Sequence, residues 1–255
     1  MDSPSGPNLA GQPPGDPDLL LDRAPGALED SAGLSRALFH FCNEGILLAL
    51  MGVPSQGADL QGWKLQIPGP QEVKNLEGYD SRYFGTGKDG DLHFRLDAAE
   101  PGATANSAYV RSELRHLAEW PIGEAHALSA EFRVVSRLKP DRVTVLQIHG
   151  ITAEGENAPP LLRIALNEGD LVAVLKTGPS GEETRRLPLR KALGSHWASV
   201  DIRLEGRLMK ILVDGQVRVL QDLSYWPHRN YFKAGCYPQA KRGKVEVTFK
   251  SLSAR

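Results

Sequence analysis

"ASVDIRLEGRLMKILVDGQVRVL", residues 198–220, alternates apolar and polar residues in short runs broken by glycine. A period of two is the signature of a half-buried strand, and Asp214-Gly215 is the dipeptide that favours a tight hairpin. Runs of the same texture lie on both sides of it: "WKLQIP", "DLHFRLD", "YVRSELRHL", "SAEFRVVSRL", "RVTVLQIHG", "PLLRIALNE", "LVAVLKTG", "NYFKAGCY" and "GKVEVTFKSL". About ten strand candidates at close spacing, with almost no helical periodicity, predict an all-β sandwich or jelly roll. Two long polar stretches, "ITAEGENAPP" (151–160) and "TGPSGEETRR" (177–186), read as loops that either cover a cleft or are merely solvated.

The 255 residues divide by composition. Residues 1–57 carry eight Gly, seven Pro, seven acids and only two bases, and read as a disordered lead-in or one short helix starting near Ser31 or Ser35. Met51 is an alternative start of the chain. Residues 58–255 hold 28 bases against 24 acids and form the folded domain. That mildly basic balance suits an anionic partner. Cys42 and Cys236 make no disulfide framework or metal spacing. No run is long enough for a membrane span, and no basic segment leads directly into an apolar one. These features predict a cytoplasmic protein, with secretion or the periplasm as the alternative, acting as a monomer without nucleic-acid or membrane partners.

Three strands share one peculiarity. In "RNYFKAGCYPQ" (229–239), Phe232, Ala234 and Cys236 suit a core, while Tyr231, Lys233 and Tyr237 point the other way. In "YVRSELR", Val110, Ser112 and Leu114 oppose Arg111, Glu113 and Arg115. In "VTVLQIHG", Leu146 and Ile148 oppose Val143, Val145, Gln147 and His149. For one strand, ordinary alternation between core and solvent explains such a face. Three together, carrying guanidiniums, a carboxylate, an amide, an imidazole, an ammonium and phenols, favour a site. Pro238 has no N–H, so its strand should end there or lie at a sheet edge. His40, His93, His116, His126, His196 and His228 read as surface or structural. Gly-x-Ser-x-Gly, Walker, Gly-x-Gly-x-x-Gly and His-Glu-x-x-His motifs are all missing.

"YVRSELR", "QIH" and "YFKAGCYPQ", in that order, resemble the signature blocks of alginate lyases of polysaccharide lyase family 7. "GWKLQIP" and "ANSAY" extend the likeness across residues 58–255. The resemblance implies a concanavalin-like β-jelly roll of two antiparallel sheets, with the three blocks side by side in a concave groove. It implies β-elimination of 1,4-linked alginate without metal or cofactor. Arg111 and Gln147 would hold the uronate carboxylate, and His149 and Tyr237 would move protons. For guluronate His149 would be base and Tyr237 acid; for mannuronate Tyr237 would serve as both, its phenolate favoured by Arg111 or Lys233. Glu113, Arg115, Lys233, Gln239 and Tyr231 would position substrate, with Glu113 orienting an arginine. Ile148 between Gln147 and His149 is associated with guluronate-containing blocks, and an open groove with endo cleavage.

Cys236 and Pro238 depart from residues common in the family. The rival readings are a lectin-like jelly roll without activity, a lyase for another polyuronate such as glucuronan, and a glycoside hydrolase. A hydrolase needs two facing carboxylates about 5–10 Å apart, and the blocks supply only Glu113.

Overall fold

The computed structural model describes residues 58–69, 71–102 and 107–255. The expected lead-in and its helix lie outside the described residues. Among those residues there are fifteen strands and no α-helix. They are β1 (Trp63–Ile67), β2 (Gln71–Val73), β3 (Phe84–Thr86), β4 (Leu92–Asp97), β5 (Ser112–His116), β6 (His126–Ser136), β7 (Arg142–Ile151) and β8 (Asn157–Asn167). After them come β9 (Asp170–Lys176), β10 (Thr184–Arg190), β11 (Ala198–Glu205), β12 (Leu208–Val213), β13 (Gln216–Asp222), β14 (Arg229–Pro238) and β15 (Lys244–Ala254).

Two antiparallel sheets result, as expected. One has eight strands in the order β10-β9-β8-β7-β14-β5-β1-β2, the other seven in the order β13-β12-β11-β6-β15-β4-β3. The strands that carry the three blocks, β7, β14 and β5, are consecutive in the first sheet although distant in the chain. Their inner faces supply Ile148, Leu146, Phe232, Ala234, Cys236 and Leu114 to the core, where they join Phe94, Phe132, Val247 and Phe249 of the second sheet. The second sheet's aromatics meet edge to face, Phe94 on Phe249 with centroids 5.5 Å apart. Each such fully buried side chain contributes about 1.5–3 kcal/mol relative to exposure. The Cys236 thiol is fully buried, a small core filler as expected.

The β11–β12–β13 meander matches residues 198–220, and its second turn has Asp214 at φ 50° and Gly215 at φ 77°. Two successive positive φ values are what a two-residue hairpin turn needs. β14 ends at Pro238, where the missing N–H can no longer serve the ladder.

Alternation fails at one place. Val143 and Val145 do not share the outer face with Gln147 and His149: both are fully buried in the core cluster. A register shift between Thr144 and Leu146 inserts a bulge in β7, and a bulge changes which way the following side chains point. The stretch 177–186 is not all loop either. Its end begins β10, an edge strand in which Pro188 is tolerated because that strand has a neighbour on one side only. Likewise "ITAEGENAPP" is a short turn that enters β8 at Asn157.

Candidate active site

Hydrogen-bonded registry places the three blocks in one patch. Lys233 on β14 lies opposite Gln147 of β7 on one side and Arg115 of β5 on the other. Tyr231 lies opposite His149, and Gly235 opposite Glu113. Residues opposed across a ladder send side chains to the same face, so one outer face collects the groups that the sequence suggested. Arg111, His149, Tyr231 and Lys233 line a groove of about 1030 Å³, together with Gln66 and Glu72 from β1 and β2 and with Gly155–Pro160. The turn 151–157 therefore forms a rim of the groove, whereas 177–183 is not among its lining residues.

Gly235 makes this packing possible. Between Ala234 and Tyr237 the β14 register against β7 slips by one residue, while pairing with β5 stays continuous. Gly235 sits at φ 149°, and a Cβ there would come within 2.6 Å of the Ser112 carbonyl oxygen and 2.8 Å of the Glu113 Cα. Only glycine lets β14 bulge against β7 without losing β5.

Glu113 organises the centre. It is fully buried; its carboxylate accepts a hydrogen bond from Gln147 Nε2, pairs with Lys233 Nζ, and lies 3.9 Å from Arg111 Nη1. Burial by itself would raise this carboxyl, but Lys233, Arg111 and Gln147 together hold it below the ordinary value. Burial pulls Lys233 down to about 8 against the support of Glu113. The sequence has Lys233 meet substrate carboxylates and Glu113 orient an arginine; the structure pairs the two with each other, with Arg111 3.9 Å from Glu113 and Lys233 1% exposed at the groove floor. Arg115 is also engaged: its guanidinium pairs with Glu119 and lies 4.1 Å from the Tyr231 ring centroid. Arg111 is freer, its Nε without a hydrogen-bond partner and its guanidinium 4.6 Å from the Tyr237 ring centroid.

His149 has its Nδ1 3.0 Å from the Gly150 carbonyl oxygen. A carbonyl only accepts, so Nδ1 carries the proton and Nε2 keeps its lone pair. Burial, reinforced by Lys233, lowers this imidazole to about 4, so it is neutral at pH 7. Its ring stacks on Tyr231, centroids 5.1 Å apart and planes 17° off parallel. Tyr231 is thus sandwiched between His149 and Arg115, and it both packs and lines the groove.

Tyr237 is raised above the usual phenol value by burial, which outweighs Ser107 and Arg111. The cations expected to favour its phenolate do not prevail, and it is a neutral phenol at pH 7. Its hydroxyl is 2.8 Å from Ser107 Oγ. Gln239 lies off the groove lining: Oε1 accepts from Thr144 Oγ1 at 3.1 Å, and Nε2 donates to the Tyr237 carbonyl at 2.6 Å. It braces the strand end that carries Tyr237.

Sequence reasoning gave no role to Ser107, although "ANSAY" contains it, nor to Arg163, which lies opposite Gln147 on β8. Alternation in "PLLRIALNE" was the signal for Arg163. For Ser107 there was none, because it falls between β4 and β5 and outside any alternating run.

A family model described as alginate lyase matches residues 58–255. Among solved structures, a tyrosine-to-phenylalanine variant of family 7 alginate lyase A1-II′ in complex with product (GGG) is 28% identical with a TM-score of 0.73, covering 79% of this chain and 98% of that one. A variant of the same lyase with histidine replaced by asparagine as well, in complex with substrate (GGMG), is 29% identical with a TM-score of 0.70, covering 79% and 95%. Alginate lyase AlyC3 in complex with dimannuronate is 25% identical with a TM-score of 0.63, covering 77% and 90%. These likenesses bear out the jelly roll expected from the sequence. No curated protein matches the chain.

Proposed function

Because the chain belongs to the alginate lyase family, and is a polysaccharide lyase acting on alginate, we propose that it cuts internal bonds in guluronate-containing blocks. His149 acts as base and Tyr237 as acid. Elimination must remove a C5 proton that the neighbouring carboxylate makes hard to lose. Arg111, a planar fork with an unpaired Nε, binds that carboxylate. The second N–H of Gln147, whose first is fixed on Glu113, donates to it. Charge developing on the enolate-like intermediate then falls where donors already point. His149 Nε2 takes the C5 proton, the C4–O bond breaks with formation of the C4=C5 double bond, and the Tyr237 hydroxyl protonates the departing oxygen.

One observation carries the guluronate preference: His149 is neutral while Tyr237 is protonated, one base and one acid ready at once. Mannuronate cleavage by Tyr237 alone would need the phenolate that burial opposes. The GGG product held by the A1-II′ variant supports the same reading, and the dimannuronate held by AlyC3 favours the other. Endo cleavage is supported by the outer-face groove of about 1030 Å³.

The test is to supply polyguluronate and polymannuronate separately, following unsaturated uronate and product size together. Faster release from polyguluronate, with mixed oligomer lengths from the first minutes, is expected. Faster release from polymannuronate, or a single small product from the outset, refutes the respective part.

A further inference from the structure

We propose that Ser107 is a positioning residue for Tyr237, holding the phenol in place and turning its own hydroxyl proton onto the Tyr237 oxygen as that oxygen gives its proton away. The inference rests on the reading of Tyr237 as the acid.

Ser107 Oγ has three neighbours: the Tyr237 hydroxyl at 2.8 Å, the Tyr109 carbonyl oxygen at 3.2 Å and the Tyr109 N–H at 3.2 Å. The N–H can only donate, so Oγ accepts from it in every state. Ser107 has one proton to give, and two oxygens can receive it. With that proton on the Tyr109 carbonyl, Tyr237 donates to Ser107 and its own proton is held away from the groove. With it on Tyr237, the phenol proton is released toward the leaving oxygen, and the nascent phenolate receives a donor at hydrogen-bond distance. Rotation about the Ser107 Cβ–Oγ bond converts one state into the other. No proton changes owner in that rotation; the only net transfer is from Tyr237 to the leaving oxygen. Arg111, 4.6 Å from the Tyr237 ring centroid, supplies charge but no aligned donor to that oxygen. Tyr109 also braces the ring edge to face, at 6.4 Å and 74°. Two successive contacts of residues 107–109 thus converge on one phenol.

A charge-assisted hydrogen bond that strengthens in the transition state corresponds to a rate loss of about ten- to a hundredfold when removed. The experiment compares Ser107→Ala, Ser107→Thr and Tyr237→Phe in the full chain on polyguluronate. Beside them runs a titration of the Tyr237 Cζ resonance in protein carrying ¹³C-labelled tyrosine, with the signal assigned through Tyr237→Phe. Expected are a kcat loss of that size in Ser107→Ala with KM within about twofold, recovery in Ser107→Thr, and a Tyr237 ionisation displaced to higher pH in Ser107→Ala. Unchanged kcat in Ser107→Ala, equal loss in Ser107→Thr, or an unmoved Tyr237 resonance overturns the role of Ser107. An active Tyr237→Phe overturns instead the acid assignment on which it rests, so the two failures are told apart.

Discussion

Replacing Glu113 by Gln keeps shape and removes one charge from the centre of the site. In the parent, Lys233 has dropped from 10.5 to about 8 on folding. At pH 7 that already costs the folded state roughly 3 kcal/mol relative to a free lysine. Without Glu113, burial and Arg111 act on Lys233 unopposed, and it loses its proton in the folded state. Keeping a group of ordinary pKa 10.5 neutral at pH 7 costs about 5 kcal/mol, so the ammonium side adds only about 1–2 kcal/mol. Exchanging a charged for a neutral hydrogen bond with Gln147 adds about 1 kcal/mol. The total is about 2–3 kcal/mol at pH 7. It lies below the ~3–5 kcal/mol typical of a buried pair losing one member, because Lys233 can escape by neutralising.

The sign of the pH dependence follows. Between pH 7 and 8 the unfolded variant binds one proton more than the folded variant, so its stability rises with pH. The parent keeps most of its Lys233 proton in both states until near pH 8, where half of the folded form has lost it, so it gains only a few tenths of a kcal/mol. Above about pH 8 both folded forms have a neutral Lys233, and the deficit shrinks to about 1 kcal/mol. Urea unfolding at pH 7 and pH 8.5, with slopes checked for equality, measures both values. A deficit under about 0.5 kcal/mol at pH 7, or one that does not shrink with pH, would refute the buried pairing as described.

Three further outcomes follow from the geometry. Activity should persist on the acid side until His149 protonates near pH 4, because burial holds it below its ordinary 6.5; a kcat/KM limb between pH 6 and 7 would contradict that environment. Tyr231→Leu removes the plane that stacks on His149 and should lower kcat on the order of ten- to a hundredfold. Tyr231→Phe keeps the ring that stacks on His149 and gives up the hydroxyl's contacts with Asn157, at 3.5 Å, and with Arg115, so it should stay much nearer the parent than Tyr231→Leu; equal kinetics in the two variants would dismiss the stack. Gly235→Ala should destabilise by about 3 kcal/mol or more, from a Cβ facing backbone and a strained φ together; an unchanged melting temperature would refute the bulge's tight approach to β5.

The fold was legible where a strand meets core on one face and groove on the other. "YFKAGCY" declared both faces of β14, and Asp214-Gly215 declared its hairpin. β10 was missed because Pro188 and three arginines hide an edge strand inside polar sequence, and β2 and β3 because three residues carry no periodicity. Val143 and Val145 misled because a bulge moves side chains without leaving a mark in composition. In the site, periodicity told which face Glu113 and Lys233 occupy but not their depth. Both lie on the groove side, yet they are buried against each other, since strands packed side by side let neighbouring long side chains cover one another. Ser107 reaches Tyr237 across 130 residues of sequence, a distance that no local pattern reports.

The proposed chemistry divides the proton transfers between His149 and Tyr237. The most direct measurement is unsaturated-uronate formation from polyguluronate by the parent, His149→Ala and Tyr237→Phe, with polymer binding measured on the same samples. A rise in the parent alone is expected, with binding retained in all three. Elimination persisting in either variant would contradict it, as would a parent that binds polymer and forms no double bond.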